Sequence, residues 1–542
     1  MKILKRIVGT MIVLAAMMFM ALTVMSVTDR AIDYDVSTEG IEIPKFTAMD
    51  IPFDQNNFFE TAHPFAAGAV IDIDNDGVEE VFLGGGPGQQ DGLVRYIDGA
   101  FSRIADVAGI EKSLASATFG ASVIDVNADG NDDLIVTRSD GVWLHLNAGG
   151  SFTTEKLALA IPEDTTPMSV AVADLNRDGH FDLFVAGYIR LDLVEGQNIF
   201  NKEGYGGSSR LFMNRGDNTF DDVTQSAGLT YRHNSFMGIF VDVDDDGNED
   251  LVVAHDTGQV RTWRNNGDGT FENRDNPTSD FYSYPMGIAV GDYNSDGRVD
   301  FAFSNVGSTP PNFMIRGDLT DQQVSNWKWI LLENQGDFQF RDAAVDAKVA
   351  DYEFSWGMAF EDLNLDGRDD LIVSENYIGL PPHNIPILRL PGRLLIQNAD
   401  GQFAAVGKEA GVVNKRYSIA PITADFNGDG YPDIVHVNLA GRSQAFISNG
   451  GDASYLKVKL PNTVGSIAAT VQVKFDDGSI ASQPFISGEG LCSESSRTMT
   501  FGLGDRLATE VSVSYLDGRQ DHRSGSLRNE LITFDGAFET LE

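Results

Sequence analysis

A nine-residue pattern, Asp-x-Asp/Asn-x-Asp-Gly-x-x-Asp/Glu, occurs seven times along the 542-residue chain, starting at Asp72, Asp125, Asp174, Asp242, Asp292, Asp362 and Asp425. Each copy places side-chain oxygens at positions 1, 3, 5 and 9 and glycine at position 6. Alternate residues of a tight loop can all aim oxygen inward, and a hard divalent cation such as Ca²⁺ takes six to eight oxygens. The glycine permits the sharp turn. The expected ligands, counting the backbone carbonyl at position 7, are seven sets. They are Asp72, Asp74, Asp76, Val78 and Glu80; Asp125, Asn127, Asp129, Asn131 and Asp133; Asp174, Asn176, Asp178, His180 and Asp182; and Asp242, Asp244, Asp246, Asn248 and Asp250. The remaining three are Asp292, Asn294, Asp296, Arg298 and Asp300; Asp362, Asn364, Asp366, Arg368 and Asp370; and Asp425, Asn427, Asp429, Tyr431 and Asp433. Up to seven Ca²⁺ are expected, in a structural role in which metal binding adds to folding energy. His180 sits at the carbonyl position, so its imidazole is not needed as a ligand.

An EF-hand is excluded. That motif needs a bidentate Glu at position 12 between two helices. Position 12 here is Leu83, Val136, Val185, Val253, Phe303, Val373 and His436. The flanks are short apolar runs such as Ala67–Ile73 and Glu80–Leu83. Runs of this length and composition indicate strands, so each loop is the turn of a β-hairpin.

The repeat is longer than its loop. A small-residue apolar strand precedes each loop ("MSVAVADLN", "MGIFVDVD", "WGMAFEDLN"), and a later strand ends in Asn before a glycine turn and Phe ("FMNRGDNTF", "WRNNGDGTF"). A fourth strand runs into Ala-Gly, as at Ala108–Ile110, Ala227–Leu229 and Ala410–Val412. Four short strands per repeat and a period near 50 imply an all-β fold, a seven-bladed β-propeller over about 43–450. The seventh repeat loses its Phe after Asn449, and Ile43–Ile51 is available to close the ring from the N-terminus. Blade closure removes exposed sheet edges.

These repeats resemble the FG-GAP/VCBS repeats of integrin α-subunit propellers, over about Phe65 to Gly450. The tail, about 454–525, resembles the ASPIC/UnbV domain through "SYLKVKL", "SIAATVQVKFDDG", "SGEGLCSESS", "FGLGD" and "VSVSYLDGRQ". It departs from that pattern at Leu491, where an aromatic is usual, and at Tyr515-Leu516, where Trp-Pro is usual. The tail reads as a small C-terminal β domain. Together the two parts resemble the cartilage acidic protein family and its bacterial relatives.

Acidic residues outnumber basic ones 80 to 39, for a formal charge of −41. The loop positions hold 23 of those carboxylates, and seven Ca²⁺ would bring the charge to about −27. Such a surface repels phosphate backbones, so no nucleic-acid partner is expected. The single cysteine, Cys492, forbids an intrachain disulfide. Lys2, Lys5 and Arg6 precede an uncharged stretch from Ile7 to Thr28. The residues 1–29 therefore read as a cleaved signal peptide or an N-terminal membrane anchor, with the body exported to the periplasm, the cell surface or the medium.

Enzyme signatures are missing: there is no Gly-x-Ser-x-Gly elbow, Walker loop or His-Glu-x-x-His. Hence no catalytic or organic-cofactor residues are assigned. Gly84-Gly85-Gly86-Pro87-Gly88 reads as a turn, and Cys492 as an inert buried thiol. Arg215-Gly216-Asp217 falls within the recurring glycine turn; Arg316-Gly317-Asp318 falls in an insert. The expected function is binding of a protein or glycan partner at the cell envelope. The alternatives are a hydrolase or lyase with its site formed across blades, and a purely structural envelope component. Three inserts, roughly Tyr188–Arg210, Val306–Trp329 and Asn376–Arg393, follow the strand after a calcium loop and must leave from the face opposite those loops. They carry Tyr188, Phe200, Tyr205, Phe313, Trp327, Trp329 and Tyr377, with Arg190, Arg316 and Arg389 among them. Aromatic and Arg side chains are enriched at binding hot spots.

Overall fold

The computed structural model describes residues 9–18, 34–58, 62–104, 109–110, 112–194, 205–307, 323–377 and 389–535. Their strands form nine sheets, seven of which are blades with four antiparallel strands each, the first blade gaining a fifth, parallel strand from the tail. In the second blade, β6 (Thr118–Ile124) leads through the acidic loop into β7 (Asp133–Arg138), followed by β8 (Gly141–Asn147) and β9 (Phe152–Lys156). The inner strand is buried at every residue, because it faces a neighbouring blade on each side. Such strands read as continuous apolar runs rather than alternating ones.

Near the axis the blades come very close, and the small residues of the inner strands allow it. A Cβ on Gly357 would lie 2.8 Å from Ala420 Cα of the next blade, and one on Gly287 would lie 2.7 Å from Gly357 Cα. One on Gly68 would lie 2.4 Å from Val437 Cγ2, at the junction of the first and last blades. The ring closes as the sequence suggests. In the last blade β1 (Phe46–Gln55), from the N-terminus, pairs antiparallel to β28 (Gly441–Ser448), followed by β27 (Asp433–Leu439) and β26 (Tyr417–Ala424).

The tail forms two sheets. One has the order β33–β29–β36, with β29 at Ser454–Lys459, β33 at Thr498–Gly504 and β36 at Glu530–Thr533. The other has the order β31–β30–β34–β35, spanning Thr470–Phe475 (β30), Ile480–Pro484 (β31), Ala508–Ser514 (β34) and Gln520–Leu527 (β35). The tail rests on the acidic-loop face. Asp125 N–H donates to Asn462 O at 2.7 Å, Asn462 Nδ2 donates to Asp132 at 2.8 Å, and Gly504 N–H donates to Leu365 O at 3.0 Å.

From this tail a loop, Ser487–Arg497, enters the channel. It touches the inner strand of every blade. Ser493 and Glu494 pair in parallel with Gly68 and Ala69 of the first blade. Ala121 N–H donates to Cys492 O at 3.3 Å in the second, and Cys492 Sγ lies 3.6 Å from Phe236 O in the fourth. Gly490 and Ile288 exchange two backbone bonds of 2.8 Å in the fifth, and Ser496 N–H donates to Thr423 O at 2.8 Å in the seventh. Gly488 lies against Val170 O of the third and Gly490 against Met358 O of the sixth. Leu491 and Cys492, at the tip, are 0% and 3% exposed and belong to the apolar core lining the axis. This explains Leu491 where the tail's resemblance leads one to expect an aromatic: the side chain fills the axis of the ring.

The uncharged N-terminal stretch lies mostly outside the described residues. Residues 9–18 are helical, with Met11, Ile12, Val13, Leu14, Met17 and Met18 exposed. Among the described residues no helix is long and apolar enough to cross a membrane.

Burial pushes the Cys492 thiol well above its ordinary pKa. Since the thiolate is the reactive form, Cys492 is expected to resist alkylation in the native protein and to react once the plug withdraws. Leu491→Ala should cost about 2–5 kcal/mol and accelerate Cys492 labelling. Native protein whose thiol reacts as fast as a free cysteine would show that the plug does not seat.

Candidate metal centre

The seven acidic loops share one backbone form. Position 4 lies in the left-handed region at Asn75, Ala128, Arg177, Asp245, Ser295 and Leu365, with φ between 55° and 57°. The seventh loop has Gly428 there, at φ 70°. A side chain in this region costs about 1–2 kcal/mol, so the loop must repay six such positions. It does so through its carboxylates. The position-1 aspartate accepts the N–H of position 6 in every loop, at 3.0 Å for Asp72, 2.8 Å for Asp125 and 2.7 Å for Asp362. The position-5 aspartate accepts the N–H of position 7, at 2.9 Å for Asp129 and Asn131, for instance. These bonds gather the oxygens on the concave side of the turn.

The position-9 carboxylate ties the loop to the rest of its blade. Asp133 accepts from Val126 N–H at 3.0 Å and from Asn147 N–H, at the end of the third strand, at 2.6 Å. The same double contact recurs at Asp182, Asp250, Asp370 and Asp433. The strand-end Asn, or Gln397 in the sixth blade, then reaches the preceding blade. Asn147 Nδ2 donates to Ile73 O at 2.9 Å, Asn334 Nδ2 to Val243 O at 2.9 Å, and Gln397 Nε2 to Tyr293 O at 2.8 Å. Each acceptor is position 2 of the previous acidic loop, so these amides link consecutive loops around the ring. Sequence reasoning registered the recurring Asn only as a strand end; its recurrence just before each glycine turn was the available signal.

Carboxylate crowding leaves its mark on the proton equilibria. Burial, reinforced by neighbouring carboxylates, raises Asp250, Asp300 and Asp433 to about 8 and Glu80, Asp133 and Asp182 to about 7; Asp370 is also pushed well up. Several oxygens are buried without a hydrogen-bond partner: Asp72 Oδ1, Asp244 Oδ1 and Asp300 Oδ2. In the first and fourth loops, carboxylate oxygens of Asp72, Asp74 and Asp76, and of Asp242, Asp244 and Asp250, converge within 4.8 Å. Unsatisfied oxygens, converging carboxylates and raised affinities for protons all fit a set of donors suited to a hard divalent cation.

The two four-carboxylate loops carry an internal counter-charge. Arg95 stands opposite Glu80 in register and pairs with Asp74 at 3.2 Å, with Asp76 at 2.6 Å and with Glu80. Arg264 pairs with Asp244 at 2.6 Å and with Asp246. The corresponding residue is Leu146, Met213, Ile396 or Ile447 in four of the loops that have Asn at position 3. The Arg thus accompanies the extra Asp; in the fifth loop the corresponding residue is Glu333, which pairs with Arg341 at 2.6 Å. Elsewhere Arg298 and Arg368, at position 7, fold onto the position-5 carboxylates Asp296 and Asp366 of their own loops. Lys457 of the tail pairs with Asp425. His180 packs beneath Gly216.

On the opposite face, the insert aromatics divide. Tyr188, Trp329 and Tyr377 are buried, at 8%, 1% and 5% exposure, which removes them as contact residues. Trp329 instead donates to Glu353 O at 3.0 Å. Trp327 and Tyr205 are partly buried, and Trp327 stacks on Tyr284 at 5.7 Å. Arg190 is exposed and paired with Asp192. Phe200, Phe313 and Arg316-Gly317-Asp318 lie outside the described residues, as does Ala108. Arg215 pairs with Asp221 and Asp217 accepts from Thr219 N–H at 3.1 Å, so that Arg-Gly-Asp tripeptide is engaged in its own turn.

An FG-GAP-like repeat model matches residues 125–185 and 242–303. Human cartilage acidic protein 1 is 22% identical over 516 residues, covering 88% of this chain and 73% of that protein. The Xenopus tropicalis protein is 23% identical, covering 84% and 71%. A crystal structure of BBS1N in complex with ARL6DN superposes with a TM-score of 0.42 at 11% identity, covering 74% of this chain and 96% of that one. The chain carries FG-GAP-like repeats and is homologous to cartilage acidic protein 1 over most of its length.

Proposed function

We propose that this chain is an exported, calcium-binding interaction module that presents the face opposite its acidic loops to a protein or glycan partner. The observation that carries this reading is the plug. A site formed across blades needs the mouth of the channel, and here the axis is filled by Leu491 and Cys492. The tail also lies over one face, in contact with the second, sixth and seventh loops. The described ends of the three inserts leave the sheets on the other side. Export is supported by the basic start, the uncharged stretch behind it and the homology to a protein named for cartilage. Calcium is supported by the donor set. Held there, Ca²⁺ would neutralise the crowded carboxylates and make each hairpin turn rigid; residues at positions 1, 3, 5 and 9 and the position-7 carbonyl would be its ligands.

Chelation is expected to lower the melting temperature steeply, with Ca²⁺ restoring it better than Mg²⁺, which demands stricter octahedral geometry. Asp129→Ala should remove about one ion while the other blades persist, since blades contact mainly their neighbours. Arg264→Met should lower the stability of chelated protein more than that of calcium-loaded protein, because it exposes four carboxylates to one another only when no cation is present. A melting curve indifferent to complete chelation would refute the metal assignment.

For the partner, the informative variants are Trp327→Ala and a shortened fifth-repeat insert. On glycan arrays and envelope-protein blots both should lose signal by about tenfold or more, as for hot-spot truncation, with calcium stoichiometry unchanged. Binding that survives loss of all three inserts, and vanishes on replacing exposed residues of the tail sheets, would put the ligand on the wrong face of this proposal.

A further inference from the structure

On the insert face, between the sixth and seventh blades, a cleft of about 310 Å³ is lined by Arg389, Arg416, Tyr417, Arg442, Asp50 and the turn Leu439–Gly441. Three arginines converge here on a protein whose formal charge is −41. Two of them are engaged: Arg416 Nη2 donates to Asp50 at 2.6 Å, and Arg442 Nε lies 3.2 Å from Asp54. Arg389 differs. Its guanidinium carbon lies 4.9 Å from the centroid of the Tyr417 ring and its Nη2 donates to Tyr417 Oη at 3.3 Å. Its Nε–H is buried with no acceptor, and it has no carboxylate partner among the described residues. The aromatic contact holds the guanidinium in one plane, leaving a donor edge unmet.

We propose that this cleft binds the carboxylate of an acidic saccharide, with Arg389 as the primary anchor and Arg416 and Arg442 as flanking donors. A planar guanidinium with an unmet donor edge is matched by a carboxylate, which accepts two parallel N–H bonds. The field points the same way. With Arg416 paired to Asp50 and Arg442 to Asp54, Arg389 leaves one positive charge in excess at the cleft on an otherwise acidic surface, a spot that favours a compact anion. A peptide adding itself as a strand would need unpaired backbone. At the cleft the strands are already paired: Tyr417 is in register with Leu439, and Gly441 and Arg442 with Gln55 and Asp54. Recognition is therefore left to side chains around a discrete charged group. The volume is at the lower end of small-molecule sites, the size for one sugar unit rather than a long segment.

This assignment rests on the reading of the chain as a binding module, and its test separates the two. Calcium-loaded full-length protein is titrated at low salt with D-glucuronic acid and with its neutral twin, D-glucose, in parallel with tetraglutamate. Saturable binding of glucuronate, none of glucose, and weakening by added salt are expected. R389Q and R442Q should each weaken glucuronate binding by about tenfold without altering calcium stoichiometry. Should R389Q fail to fold, R442Q, whose side chain is 47% exposed, decides. Equal response to glucuronate and glucose, or wild-type binding in both variants, overturns the proposal. Tighter binding of tetraglutamate overturns the saccharide assignment. Failure here with insert-dependent partner capture intact removes the subsite alone; loss of both removes the module reading as well.

Discussion

Like charges crowded on one side of a ring are the condition to which the rest of this protein answers. Twenty-three loop carboxylates sit at hairpin turns that all emerge on the same face. Backbone N–H groups hold the carboxylates at positions 1, 5 and 9 in place, as at Asp125, Asp129 and Asp133, but hydrogen bonds do not remove charge. The structure counters it in three ways. It shares oxygens inward around positions suited to a cation. It adds Arg95 and Arg264 where a fourth carboxylate has been added. And it brings Lys457 of the tail down on Asp425. The tail's docking is thus partly an electrostatic response to the face it covers.

Ring closure and axis filling are separate problems, solved by opposite ends of the chain. A propeller must join its first and last blades, and here the N-terminal β1 completes the last sheet. A seven-fold ring also leaves space along its axis. The Ser487–Arg497 loop fills it with backbone bonds and an apolar tip. Its glycines matter because the approach is so tight: a Cβ on Gly287 would lie 2.5 Å from Gly490 O. The plug makes propeller and tail one packing unit, so damage to either is felt in both.

The blades and loops were legible because their signals are local. Ligand spacing, the glycine at position 6 and the apolar flanks all fall within a few residues of one another. The supply of the last outer strand by the N-terminus was legible too, since the seventh repeat visibly lacks its Phe. The plug was not. "SGEGLCSESS" is polar and glycine-rich, and although Cys492 within it reads as buried, nothing in it names what it packs against; its burial depends on seven strands from other parts of the chain. The insert aromatics misled for the same reason. Trp329 stands only two residues from Trp327, yet one is core and the other half-exposed, because the chain re-enters its sheet at Ile330. The arginines at Arg95 and Arg264 became meaningful only when strand register set them opposite position 9.

Considered over the time in which the chain is made, the plug imposes an order. The strand that latches the ring, Phe46–Gln55, leaves the ribosome before any blade exists and must wait for Gly441–Ser448 to appear. The loop that bolts the axis comes later still. Until residues 487–497 arrive, the inner strands enclose a channel whose apolar lining has nothing to pack against. The growing chain therefore passes through a stage with an open, sticky bore, and completes its core only after every blade has been made. A truncation that spares every blade but removes the tail would leave the protein at that stage permanently.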